Sequence, residues 1–203
     1  FIQKEAKDKR GNIAKKIKMR VAAISGGISG GTYASLNQVL EEAQKDKMVY
    51  KTLTNPYSLN PLNEQFGKDK SDLKGVIFDK ESQSWIGPFI MASINTKIVR
   101  RSNFLSGYAY GESFRYDEAT IFGKGFFGRI KGIISATSIG IIMSAKHRSL
   151  FKKGLDFLFP IPGKGPSKKK MEKGFYNLRF YITLEDGSNA FAKVTGDMDP
   201  GYG

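Results

Sequence analysis

Residues 85–120, WIGPFIMASINTKIVRRSNFLSGYAYGESFRYDEAT, constrain this chain more than any other stretch. Within 36 residues they pass from a Pro-Phe entry through an apolar-striped helix, an Arg pair and a Tyr/Gly turn into an aromatic strand. Met91, Ile94, Ile98, Ser102 and Leu105 recur at helical spacing and mark one face of that helix. Arg100 and Arg101 fall near its end, where cations suit the negative pole of the dipole. Few folds need this order of parts, and no nucleotide fingerprint precedes it.

The rest of the chain supplies strands for a sheet. From Lys16 to Ile24 the residues alternate, with Ile17, Met19, Val21 and Ala23 on one face and Lys16, Lys18 and Arg20 on the other, as in a half-buried strand. The glycine loop Gly26–Gly31 follows, and Thr32 is expected to cap a helix through Leu36, Val39, Leu40 and Ala43 with a short second turn near Val49. Residues 55–71 carry Pro56 and Pro61 and read as a loop. Short strands are expected at Val76–Asp79 and Ser84–Ile86, and another at Phe114–Phe122. A helical region over 126–157 is expected to break or bend near Gly132 and Gly140. A closing hairpin puts Tyr176, Leu178, Phe180, Ile182 and Leu184 on one face, turns at Asp186-Gly187 and returns through Ala190, Ala192 and Val194. These elements predict an α+β domain with a mixed, mainly antiparallel sheet of five or six strands.

Composition narrows the function classes. The 203 residues carry 33 Lys/Arg against 19 Asp/Glu, a net charge of +14, which favours anionic partners. With 40% hydrophobic and 12% aromatic residues the chain can bury a core. It has no cysteine, so disulfides, Cys-zinc sites and thiol nucleophiles are excluded. The longest weakly polar run, Gly132–Ala145, holds 14 residues between lysines. As a helix it reaches about 21 Å, too short for a hydrocarbon core of roughly 30 Å. The opening residues FIQKEAKDKRG read as the end of a helix stopping at Gly11, and DPGYG at the other end as a turn leading onward. The expectation is one domain, residues 1–203, cut from a longer protein.

Each candidate site has a plain structural alternative. Strand, glycine loop and helix start together form the recipe for an anion site. Gly26 to Thr32 lacks the lysine of a triphosphate loop, and Ile28 breaks the dinucleotide pattern G-x-G-x-x-G. A turn permitting close packing explains it equally well. Arg100 could grip a carboxylate or phosphate through its fork, or could simply finish a helix. Tyr108, Tyr110 and Tyr116 could donate to a carbonyl, but aromatics beside glycine turns usually pack. His147 stands alone among basic residues, without metal-ligand partners at a suitable spacing. Asp117 and Glu118 are neighbours on a strand and face opposite sides, which excludes a shared proton; Asp197 and Asp199 are the other acid pair. The Lys168–Lys170 run reads as a surface loop. Together with the basic flanks of the apolar helix (Lys131, Lys146, Arg148, Lys152 and Lys153), it also fits a peripheral patch on an anionic lipid surface. A basic nucleic-acid-binding module is the alternative drawn from charge and an aromatic sheet, but no RNA-binding fingerprint accompanies it and no nucleic-acid partner is expected.

PFIMASINTKIVRRSNFL followed by YGESFRYDE resembles the second domain of the saccharopine dehydrogenase-like oxidoreductases, which include the trans-acting enoyl reductases. SGGTYAS at Ser29–Ser35, GPSKKKMEKGFYNLRF and GDMDPGYG at Gly196–Gly203 resemble the same family in the same order, so the likeness covers nearly the whole chain. The resemblance implies an NAD(P)-dependent hydride transfer by a parent protein whose missing N-terminal Rossmann domain binds the cofactor. It implies a substrate and dimerisation role for this part, which alone is expected to be inactive and cofactor-free, in a cytoplasmic protein with a peripheral membrane or lipid association allowed. It places the substrate cleft at Gly30, Gly31, Thr32, Asn95, Arg100, Tyr110 and Arg115. Loop amides and Arg100 would take an anionic group, and Asn95 and Tyr110 would orient the substrate.

Overall fold

In the computed structural model, residues 1–26, 29–65, 67–69, 71–143 and 163–201 are described. The expected stretch 144–157 of the long helix and His147 lie outside them. Helix α1 (Ile2–Arg10) ends on Gly11, whose φ of 61° lets its N–H close back on the Lys7 carbonyl. Gln3 then pairs through both amide atoms with the backbone of Ala14, at 2.8 Å each, and so starts strand β1 (Ala14–Ser25). Helices α2 (Gly30–Lys45) and α3 (Lys47–Thr54) follow, then a single 3-10 turn (Leu62–Glu64). Strands β2 (Ile77–Asp79) and β3 (Ser84–Gly87), helix α4 (Ala92–Leu105), strand β4 (Arg115–Gly123) and helix α5 (Gly125–Met143) come next. A short helix α6 (Lys168–Glu172) leads into the hairpin β5 (Phe175–Leu184) and β6 (Asn189–Gly196).

The six strands form one sheet in the order β2-β3-β4-β1-β5-β6. Only β1 and β4 run parallel, from Lys16 opposite Arg115 to Val21 opposite Thr120; every other pair is antiparallel. The expected α+β class and mixed, mainly antiparallel sheet are thus observed. The hairpin keeps its expected register, with Ile182 opposite Ala190, Phe180 opposite Ala192 and Leu178 opposite Val194. Ala6 of α1 packs with Ala14, Ile17, Phe114, Ile182 and Leu184 into the main core, joined by Val99 of α4.

Four local expectations need correction. Helix α2 is capped by Ser29, whose hydroxyl accepts the Thr32 N–H at 3.0 Å, because Ser29 is the residue still in extended conformation. Strand β1 is covered on both faces at its centre: Arg20 is buried, with Asp79 on its Nε and Nη2 and Asp117 on its Nη1. The apolar stripe of α4 looks outward. Ile94, Ile98 and Leu105 are exposed, while Ala92, Thr96, Arg100 and Asn103 are buried, because polar partners wait beneath them. Finally, α5 runs unbroken through Gly132 and Gly140 and begins well before the counted apolar run. Its 19 residues, about 28 Å at helical rise, make it long and apolar enough to cross a membrane by length and composition, contrary to the shorter count.

Candidate functional site

The C-terminal end of β1 gathers three stretches that are far apart in sequence. Gly26 follows Ser25 against the final turn: a Cβ there would come within 2.8 Å of Asp199 Oδ2 and 3.0 Å of Pro200 Cδ. Gly174 is tighter still, with the Asp199 backbone nitrogen 2.4 Å from where its Cβ would stand. The Asp199 N–H bonds the Met171 carbonyl of α6 at 2.9 Å, and the Gly30 N–H bonds the Lys164 carbonyl at 2.9 Å. Gly26, Gly30, the stretch from Lys164 through α6 to Gly174, and the GDMDP turn therefore form one assembly.

Between them lies a cleft of about 280 Å³ lined by Ser25, Gly26, Ser167, Lys169, Lys170 and Lys173. Three lysines around a glycine-lined hollow suit an anionic group. The start of α2 contributes less than its sequence suggests, since the Gly30 and Thr32 amides are already bonded to Lys164 and Ser29. The lysine run, expected as a loop, is helix α6 capped by Ser167. Spacing along the chain gave no signal that it would meet the glycine loop.

Asn95 and Arg100 lie elsewhere, on the buried side of α4. Asn95 Nδ2 donates to Glu118 Oε2 at 3.0 Å and the Tyr116 hydroxyl donates to Glu118 Oε1 at 2.8 Å. Arg100 Nε donates to Asp69 Oδ2 at 3.0 Å, and Nη1 donates to Thr96 Oγ1 at 3.0 Å and the Pro56 carbonyl at 3.2 Å. Its guanidinium is thereby committed to holding the 55–71 loop onto α4 and β4. Tyr110 shares a hydrogen bond of 2.9 Å with Ser102 Oγ, packs edge-on against Phe114, and borders a second cleft of about 460 Å³ together with Lys15, Glu112 and Glu185. Tyr108, in the glycine turn with φ 59°, bonds Glu64, which pushes its hydroxyl up to about 12.

These residues do not converge on one spot. Arg115 stands opposite Lys16 near the start of β1, while Gly30, Gly31 and Thr32 lie beyond Ser25 at its other end. Nine residues of strand separate the two ends, about 30 Å. The acids divide as expected: Asp117 meets Arg20 and Glu118 meets Tyr116 on the opposite face. No group of three or more metal-ligating side chains occurs among the described residues.

Burial raises the Glu118 carboxyl above its ordinary value, against the opposing bonds from Tyr116 and Asn95. Burial and the neighbouring Glu118 raise the Tyr116 phenol as well. A raised carboxyl binds its proton more readily in the folded state, so its contribution is greatest at low pH and is lost as pH rises through the folded value. Asp79 has the opposite sign: burial would raise it, but Arg20 prevails and holds it low, so its contribution is lost in acid. Glu118→Gln is expected to flatten the decline in stability above about pH 4 while leaving the acid limb intact. Urea unfolding at a series of pH values checks this, and an unchanged slope would contradict it.

Similarity to known proteins follows the whole chain. A Mycobacterium tuberculosis (strain ATCC 25618 / H37Rv) protein provisionally named a trans-acting enoyl reductase is 35% identical over 192 residues, covering 90% of this chain and 46% of the relative. A trans-acting enoyl reductase of Mycobacterium ulcerans (strain Agy99) is 33% identical over 84% of this chain and 43% of its own length. One from Mycobacterium bovis (strain BCG / Pasteur 1173P2) is 31% identical over 85% and 43%. No protein-family model matches, and no solved structure does. The chain spans somewhat under half the length of these curated relatives. Sequence and shared coverage together make it a homologue of the trans-acting enoyl reductases, covering part of those proteins.

Proposed function

We propose that this chain forms the substrate-binding and dimerisation part of an NAD(P)-dependent oxidoreductase that reduces an enoyl group. The observation that carries the reading is similarity over 90% of the chain to a trans-acting enoyl reductase. The residues present do not fit a whole dinucleotide. Ile28 interrupts the glycine fingerprint, and two of the first amides of α2 are used internally. The cofactor is therefore assigned mainly to the portion of such proteins that this chain does not span. The basic cleft of Ser25, Gly26, Lys169 and Lys170 is assigned to an anionic group on the substrate or on the cofactor's outer end.

Titration calorimetry with NADPH tests the division of labour. A polypeptide spanning the full length of the relatives is expected to bind it, and residues 1–203 alone are expected to show no saturable binding. Equal binding by the two, or none by the longer protein, overturns the reading. In the longer protein, Lys170→Glu is expected to raise KM for the ligand that reaches the cleft roughly tenfold with kcat little changed. The reading also carries a homodimer, checked by light scattering.

A further inference from the structure

Helix α5 is built the wrong way round for a core helix. Its sheet-facing side is glycine: a Cβ on Gly128 would stand 2.4 Å from the Gly123 carbonyl oxygen, and one on Gly132 would stand 2.9 Å from Val76 Cγ1. At roughly 100° per residue, Phe126, Ile130, Ile133 and Ile134 point away from that contact. Phe126 is 72% exposed, Phe127 77% and Ile134 62%. Gly128 and Gly132 are the residues of this helix that are buried among those described, so it is not a core helix of the described fold. Arg129 and Lys131 project to the two flanks between the glycine face and the apolar face, and Arg129 lies 5.2 Å over the Trp85 ring.

We propose that this face of α5 docks flat into the interface of an anionic lipid bilayer. This goes beyond the enoyl-reductase reading and does not depend on it. The seat of Gly128 and Gly132 on the sheet prevents α5 from leaving the domain to span a membrane, so the helix lies in the interface plane. Its apolar face enters the acyl boundary while Arg129 and Lys131 reach the headgroups from either side. Charge selects the occupant. The helix has no Asp or Glu, and the chain carries +14, so acidic lipid gains from every approach. A second copy laid face to face through α5 would set these cations against each other with no acid on either helix to pair them.

The absence of cysteine makes the test direct. Ile134→Cys and, as a control on α2, Glu42→Cys are labelled with an environment-sensitive NBD fluorophore. They are mixed with vesicles of phosphatidylcholine alone or doped with phosphatidylserine. The expected result is a blue shift at position 134, absent at 42, on the doped vesicles only. Lys131→Gln should weaken binding about fivefold, and Phe126→Ser with Phe127→Ser should weaken it at least tenfold. Both sites are exposed, so folding should be unaffected, which circular dichroism verifies. Four outcomes overturn the proposal: no shift on either vesicle, an equal shift on both vesicle types, equal shifts at 134 and 42, or a label at 134 already shielded without lipid. The last would mean that a second copy or another part of the chain covers the face.

Discussion

Replacing Arg100 by leucine is expected to lower stability by about 3–5 kcal/mol, enough to threaten folding in a domain of ordinary stability. The side chains of Arg100 and Asp69 are 5% and 7% exposed. Arg100→Leu leaves the Asp69 carboxylate buried with, among the described residues, only the Tyr116 N–H to hold it. The Thr96 hydroxyl and the Pro56 carbonyl lose a donor at the same time. Burial already raises the Asp69 carboxyl despite Arg100 beside it. Without Arg100 it rises further, so the deficit should shrink as pH falls and Asp69 becomes neutral. Adding Asp69→Asn should recover part of the loss at neutral pH. Urea unfolding of the wild type and the two variants measures this. Were Arg100 instead a free anion ligand, its removal would spare stability and weaken only ligand binding.

The second large effect contrasts two glycines of one helix. At Gly128 a methyl group would meet the Gly123 backbone, its oxygen at 2.4 Å and its carbon at 2.6 Å, and backbone cannot yield as a side-chain tip can. Gly128→Ala must lift α5 from the strand end, and a loss of about 1–3 kcal/mol is expected even after the helix-propensity gain. At Gly140 nothing lies within 4 Å of the added methyl. Gly140→Ala should stabilise by about 0.5–1 kcal/mol. Thermal and denaturant unfolding of the pair separates them by sign. If both stabilise, α5 does not sit on the sheet as described.

What could be read from the residues was the part written in apolar spacing. Ile17, Met19 and Val21 announce a strand, and Tyr176 to Val194 announce a hairpin with its turn and register, because alternation is a local property. The α4 helix was equally legible, but its orientation was not. A stripe of Met91, Ile94, Ile98 and Leu105 looks like a buried face only when burial is assumed to follow hydrophobicity. Here Thr96, Arg100 and Asn103 go inward because Asp72, Asp69 and the Gly111 carbonyl are there to receive them. Those partners come from loops whose placement no periodicity encodes. The same reason hid Arg20, whose two carboxylates arrive from β2 and β4. It also hid the basic cleft, whose Ser25 and Lys170 are separated by most of the chain. The ordered motifs that resemble the family marked that neighbourhood as significant without showing that they touch.

Strand β1 lies inside the sheet, yet a ribosome makes it before the other five described strands. Its neighbours are β4, ending at Gly123, and β5, ending at Leu184. At roughly 5–20 residues per second, Leu184 follows Ser25 by on the order of 10–30 s. Throughout that interval Ile17, Met19 and Val21 have no completed sheet to enter. This sheet therefore cannot close its core as it emerges, and assembly waits for the β5-β6 hairpin. A nascent chain that stops before Phe175 would present this central strand with one edge unpaired, open to any other chain that offers a partner.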